Sequence, residues 1–135
     1  MNIGVVPARL ASKRFPKKIL ADLDGKPMVA HTMEQVLKAQ KLDKVILAID
    51  SEETLDALKD FGFDMVMTSK DHCSGTDRVA EVVKKNEDAE VVINIQGDEP
   101  LIDANIIDDL LGLFEDKDVN MGTAISTKLR VDDLL

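Results

Sequence analysis

Residues 3–18 read IGVVPARLASKRFPKK, and the first half of this stretch dictates how the second half is presented. Ile3–Pro7 is a short, nearly uninterrupted apolar run ending at proline. That is the pattern of a strand buried on both faces, not of a half-exposed strand that alternates. It passes directly into a segment carrying Arg9, Lys13, Arg14, Lys17 and Lys18 with no acid among them. A basic loop therefore leaves the carboxyl end of a core strand.

Working outward, the chain repeats a strand and helix alternation. Asp24-Gly25 marks a turn, and Pro27 suits the first position of a helix whose apolar residues Val29, Met33, Val36 and Leu37 recur at helical spacing, running to about Gln40. Lys44–Ile49 is a second buried strand, and Asp50-Ser51 precedes a helix with Leu55, Leu58 and Phe61 on one face and Gly62 at its end. Met65–Thr68 is a third strand, and Ser74-x-x-Asp77 resembles a capping box opening a helix through Val79, Val82 and Val83. Val91–Gln96 is a fourth, closed by Gly97-Asp98-Glu99-Pro100. A helix with Ile106, Ile107, Leu110, Leu111 and Phe114 follows, and Met121–Ser126 gives a fifth strand. Such alternation predicts an α/β fold, a mostly parallel sheet flanked by helices. In open sheets of this kind the ligand crevice lies beyond the carboxyl ends of the strands. The three richest polar segments, 8–18, 69–78 and 96–100, all follow strands and are expected to converge there.

Composition narrows the function. The 135 residues carry 17 Lys and Arg against 26 Asp and Glu, a net charge of −9, and every acid lies after residue 21. A general nucleic-acid surface needs many cations facing phosphates, so nucleic acid is not an expected partner. The chain instead offers one anion-attracting segment on an anionic body. Hydrophobic residues at 44% are enough for a packed core. No apolar run approaches the roughly 20 residues of a membrane span, so membrane insertion is not expected. The N-terminus lacks the pattern of a secretory signal, and the single cysteine, Cys73, cannot form an internal disulfide; a cytoplasmic location is the expectation.

Three constellations remain to carry chemistry. The basic loop has neither a dinucleotide-binding glycine fingerprint nor a P-loop, yet backbone N–H groups, the Ser12 hydroxyl and guanidinium forks could surround a polyphosphate. A solvated basic loop explains the same residues. Asp71-His72-Cys73-Ser74-Gly75-Thr76-Asp77-Arg78 could bring a helix N-terminus and Arg78 close to a base or anion, or could simply be a capped helix. Gln96-Gly97-Asp98-Glu99-Pro100 places a carboxylate where Mg²⁺ could be held with substrate phosphates, or forms an acidic turn. Asp108-Asp109 reads as part of a solvated helix face.

Taken together, PARLASKRFPKK (7–18), GKPM (25–28), DHCSGTDR (71–78) and INIQGDEP (93–100) resemble the cytidylyltransferases that activate 3-deoxy-D-manno-octulosonate (Kdo), the CMP-Kdo synthetase family. Sialic-acid cytidylyltransferases share the general nucleotide loop, but QGDEP and SGTDR resemble the Kdo branch. The resemblance implies a Rossmann-like, nucleotide-diphospho-sugar transferase-like fold and a reaction of CTP with Kdo giving CMP-Kdo and pyrophosphate, with Mg²⁺ as cofactor. It implies that Arg9, Ser12, Arg14 and Lys18 hold the triphosphate, that Ser74 and Arg78 face the cytidine, that Gln96 lies near nucleotide and sugar, and that Asp98 binds metal. Lys18 and Asp98 would be the catalytic pair. The family's loop carries glycine where Lys17 stands and proline where Ile19 stands. Its members are longer, so residues 1–135 would be the CTP-binding, N-terminal part of one C-terminally truncated domain, inactive alone and a homodimer when full length. Another acidic sugar as acceptor, or a non-catalytic nucleotide-binding fragment, are the alternatives.

Overall fold

A computed structural model describes residues 1–11, 17–72 and 75–114. The expected strand at 121–126 and the Ser74 cap lie outside the described residues. In chain order the elements begin with β1 (Asn2–Ala8), a 3-10 turn (Lys18–Leu20), the two-residue strands β2 (Asp22–Leu23) and β3 (Lys26–Pro27), and α1 (Met28–Val36). Then come β4 (Lys44–Ile49), α2 (Glu52–Leu58) continued by a 3-10 turn (Lys59–Phe61), and β5 (Met65–Met67). The described part closes with α3 (Gly75–Lys84), β6 (Val91–Asn94) and α4 (Ala104–Leu113).

Four strands form one sheet in the order β5-β4-β1-β6, and every pairing is parallel. β1 lies inside it, with Ile3 opposite Lys44 on one side and Val92 on the other. Residues 3–8 are all buried, which is why this strand does not alternate. Its side chains serve two cores by turns. Val6 and Ala8 join Leu47 and Ile49 under Val29, Met33 and Val36 of α1, Leu58 of α2, and Ile107 and Leu111 of α4. Ile3 and Val5 join Ile46 and Ala48 beneath Val79 and Val82 of α3 on the opposite face. The period-two alternation of β1 and β4 thus builds a helix, sheet, helix sandwich, as the alternating pattern predicts.

Local chemistry sets the ends. The Ser51 hydroxyl accepts the Glu53 N–H at 3.1 Å, capping α2, with Glu52 and Glu53 in its positive first turn. Asp103 caps α4 by accepting the Asn105 N–H at 2.9 Å. Asp24 (φ 57°) and Gly25 (φ 88°) form the two-residue turn between β2 and β3, the positive φ pair such a hairpin requires. The hairpin is pinned to α1 by Lys26 on Glu34 at 2.7 Å and by His31, whose Nε2 donates to the Leu23 carbonyl.

Three readings of the sequence need correction. Pro27 caps α1 instead of starting it, because Lys26 and Pro27 belong to the hairpin. α1 stops at Val36, not Gln40, leaving Leu37 on the surface. Beyond that point Asp108 holds the chain: its two carboxylate oxygens accept the N–H groups of Gln40 and Lys41 at 3.0 and 2.8 Å. This acid is a clamp between α4 and the turn before β4. Phe61, in turn, leaves the α2 face and stacks on Phe63, ring centroids 5.4 Å apart.

Candidate functional site

The sheet order reverses between β1 and β6, since the chain winds outward from β1 through β4 to β5 and then returns to β1's other side. Such a switch point opens a crevice at the carboxyl ends of the two diverging strands. A half-open cleft of about 210 Å³ lies there. Pro7–Arg9 and Ala11 line it from the end of β1, Lys18–Ile19 from the 3-10 turn, and Gln96–Asp98 from beyond β6.

Two contacts bring these walls together. At Gly97 a Cβ would stand 3.3 Å from the Pro7 carbonyl oxygen and 3.5 Å from both Ala8 Cβ and Val29 Cγ2, so the turn packs closely on β1 and α1 and a side chain here would press on the Pro7 carbonyl by a few tenths of an ångström. The buried Thr32 hydroxyl of α1 donates to the Gly97 carbonyl at 2.9 Å, fixing the turn from below. The third polar segment arrives from the α3 side. Gly75 packs on the Pro7 ring, and its missing Cβ would lie 4.0 Å from Gln96 Oε1. Segments 8–18 and 96–100 therefore meet in the cleft, and of the 69–78 segment Gly75 comes up against Pro7 and Gln96, two of its lining residues.

The cleft carries both signs of charge. Lys18 Nζ donates to Asp98 Oδ2 at 3.1 Å, with the two side chains 42% and 43% exposed. A pair this open to water contributes only about 0.2–1 kcal/mol, so either partner is easily turned toward a ligand. Burial, and then the neighbouring Asp98 charge, raises the Glu99 carboxyl above its ordinary value. Asp98 offers hard carboxylate oxygens at the cleft wall. Among the described residues no three His, Cys, Asp or Glu side chains gather into a metal cluster. A single carboxylate of this kind can share a hard divalent cation with waters and substrate phosphates.

Arg9, Lys18, Gln96 and Asp98, singled out in the sequence, all line this cleft. Ser12, Arg14 and Ser74 lie outside the described residues. Arg78 sits elsewhere: it is 2% exposed, and its guanidinium donates to Thr68 Oγ1 at 2.6 Å and the Ser69 carbonyl at 2.9 Å while facing Asp50. Lys17, where the resembling pattern has glycine, takes the left-handed conformation (φ 59°), and its N–H donates to the Leu10 carbonyl at 3.1 Å, closing the basic loop. The sequence reading passed over Thr32, Asp50 and Thr68. The last two directly follow β4 and β5, and a polar residue at a strand's carboxyl end was the available clue.

The cytidylyltransferase family pattern matches residues 3–131. The chain belongs to the cytidylyltransferase family. Two relatives named 3-deoxy-manno-octulosonate cytidylyltransferase show how near the likeness runs. That of Geobacter sulfurreducens is 45% identical over all of this chain and 54% of its own, and that of Solibacter usitatus is 48% identical over 97% and 51%. The solved structure of CMP:2-keto-3-deoxy-manno-octonic acid synthetase complexed with CTP superposes with a TM-score of 0.82 at 42% identity, covering 86% of this chain and 48% of that one. A cytidylyltransferase from Leptospira borgpetersenii, 22% identical with a TM-score of 0.71, shares the fold. This cytidylyltransferase chain spans about half the length of the relatives it matches. Among its described residues no helix is long and apolar enough to cross a membrane.

Proposed function

We propose that the cleft between β1 and β6 is the CTP site of a CMP-Kdo synthetase, and that residues 1–135 form its nucleotide-binding part. The observation that carries this reading is the meeting of Arg9 and Lys18 with Gln96 and Asp98 at the sheet's switch point. In the reaction the anomeric hydroxyl oxygen of Kdo forms a bond to the α-phosphorus of CTP, the bond from that phosphorus to the pyrophosphate oxygen breaks, and the hydroxyl proton is lost. Such chemistry asks the protein for alignment and charge neutralisation, not for a nucleophile of its own.

Each residue then has a task. Arg9, Ser12, Arg14 and Lys18 hold the triphosphate through charge-assisted hydrogen bonds. Lys18 leaves Asp98 for a phosphate oxygen at little expense, given how exposed their pair is. The released Asp98 carboxylate holds Mg²⁺, which when bound supplies charge neutralisation at the phosphates. To Ser74 this reading gives contact with the cytidine, and to Gln96 contact with both cytidine and sugar. Arg78 acts from behind, through Thr68 and Ser69. On this reading the sugar pocket and a homodimer interface fall to the length that the relatives have beyond the part matched here, and the CTP-dependent biosynthetic step belongs in the cytoplasm.

Calorimetric titration of the chain with CTP, UTP and ATP at one salt concentration with Mg²⁺ tests the site. Preference for CTP is expected, and equal or absent binding of all three overturns the reading. Pyrophosphate release by the longer protein with Kdo or sialic acid then decides the acceptor, and faster turnover of sialic acid would reassign it.

A further inference from the structure

Asp50 and Arg78 stand outside the cleft wall, yet between them they grip two of the segments that enter it. Asp50 directly follows β4 and is 8% exposed. Its Oδ1 accepts the N–H of Leu10, two residues past the end of β1, at 3.0 Å. Its Oδ2 faces Arg78 Nη2 at 3.5 Å. From α3, Arg78 reaches Thr68 Oγ1 and the Ser69 carbonyl, and the Thr68 hydroxyl donates in turn to the Ile49 carbonyl at 2.8 Å. One buried chain of contacts thus runs from the basic loop through the end of β4 to the start of the 69–78 segment.

Stability alone does not account for placing this pair in the interior. Two apolar side chains of the same volume commonly stabilise a core as well as a buried ion pair or better, because both charges must be stripped of water. What the charged pair adds is direction. A carboxylate accepts from a backbone N–H and a guanidinium at once, and the guanidinium fork holds two further atoms, Thr68 Oγ1 and the Ser69 carbonyl oxygen.

We propose that Asp50 and Arg78 are positioning residues that couple the basic loop to the 69–78 segment, so that the triphosphate side and the base side of the site take up their geometry together. The proposal rests on reading the cleft as a CTP site. It is tested on the 135-residue chain by measuring CTP affinity and the hydrogen exchange of the Leu10 amide in Asp50→Asn, Arg78→Lys and Thr68→Val. Thr68→Val keeps the ion pair and serves where a charge change prevents folding.

Asp50→Asn and Arg78→Lys are each expected to weaken CTP binding by about tenfold, and Thr68→Val by less. Leu10 exchange should accelerate in Arg78→Lys and Thr68→Val although neither side chain touches Leu10, because the local opening of the loop becomes easier. Leu58→Ala, a core change at a side chain that takes no part in these hydrogen bonds, should lower the unfolding midpoint and leave CTP affinity within about twofold of wild type. Wild-type Leu10 exchange in Arg78→Lys and Thr68→Val overturns the coupling. So does a loss of CTP affinity in Leu58→Ala as large as in Asp50→Asn, since stability would then explain both. If wild-type chain binds no CTP, the functional reading fails, while Leu10 exchange still decides whether the two segments are coupled.

Discussion

Lys17 carries a backbone conformation that its side chain disfavours. The left-handed region costs an L-residue roughly 1–2 kcal/mol, which glycine avoids. Glycine would also free the unfolded chain, worth about 0.4–1 kcal/mol, and would lose the exposed pair of Lys17 with Glu53 at 3.0 Å. These effects nearly cancel, so Lys17→Gly should leave the urea midpoint almost unchanged. Lys17→Val, β-branched at a positive φ, should lower stability by about 1–2 kcal/mol. A valine variant as stable as the glycine one would show that the loop does not need this conformation. The neighbouring lysine tests the chemistry instead. Lys18→Met should weaken CTP binding by about 1.5–3 kcal/mol, the scale of a hydrogen bond to a charged group, and Asp98→Asn should reduce the Mg²⁺ dependence of that binding with the fold intact. Should Glu99→Gln alone remove the Mg²⁺ dependence, the metal carboxylate has been misassigned.

At the scale of elements, α3 holds the 69–72 segment through Glu81. Its Oε1 accepts from the Ser69 N–H at 3.1 Å and pairs with His72 Nε2 at 2.8 Å, and its Oε2 faces Lys85 at 3.6 Å. These contacts, the His72 hydrogen bond foremost, lower the Glu81 carboxyl below its ordinary 4.5. A depressed folded-state value stabilises the fold fully above the unfolded value and ceases to do so as pH falls through the folded one. The destabilisation caused by Glu81→Gln should therefore be full at neutral pH and shrink below about pH 4.5, measured by denaturant unfolding at each pH. A deficit that persists undiminished in acid would assign the effect to packing. The elements themselves were largely legible in the sequence: Lys44–Ile49 has the ends read from its apolar run, and β1 differs by one residue at each end. What was illegible came from contacts distant along the chain. No local pattern could reveal that Asp108 would take the N–H groups of Gln40 and Lys41, just past the end of α1. Nor could it show that the motif residue Arg78 turns inward to Asp50, a partner 28 positions away.

For the molecule as a whole, the parallel order β5-β4-β1-β6 places the crevice, because among the described strands successive connections diverge between β1 and β6 alone. Arg9, Lys18, Gln96 and Asp98 come from segments nearly 90 positions apart in the chain at most, and the fold assembles them without help from further length. Binding should therefore survive in residues 1–135. A ligand that binds only the folded state adds about 2.7 kcal/mol at a hundred times its dissociation constant, so saturating CTP with Mg²⁺ should raise the melting temperature by several degrees. Turnover is a separate demand. It requires the acceptor sugar to be held in line with the α-phosphorus, and the relatives that share this architecture are about twice as long. The 135-residue chain with CTP, Kdo and Mg²⁺ is accordingly expected to show the thermal shift and no pyrophosphate above background. Pyrophosphate release at the rate of the longer protein would place the whole catalytic site within these residues, and a missing thermal shift would remove CTP from the cleft.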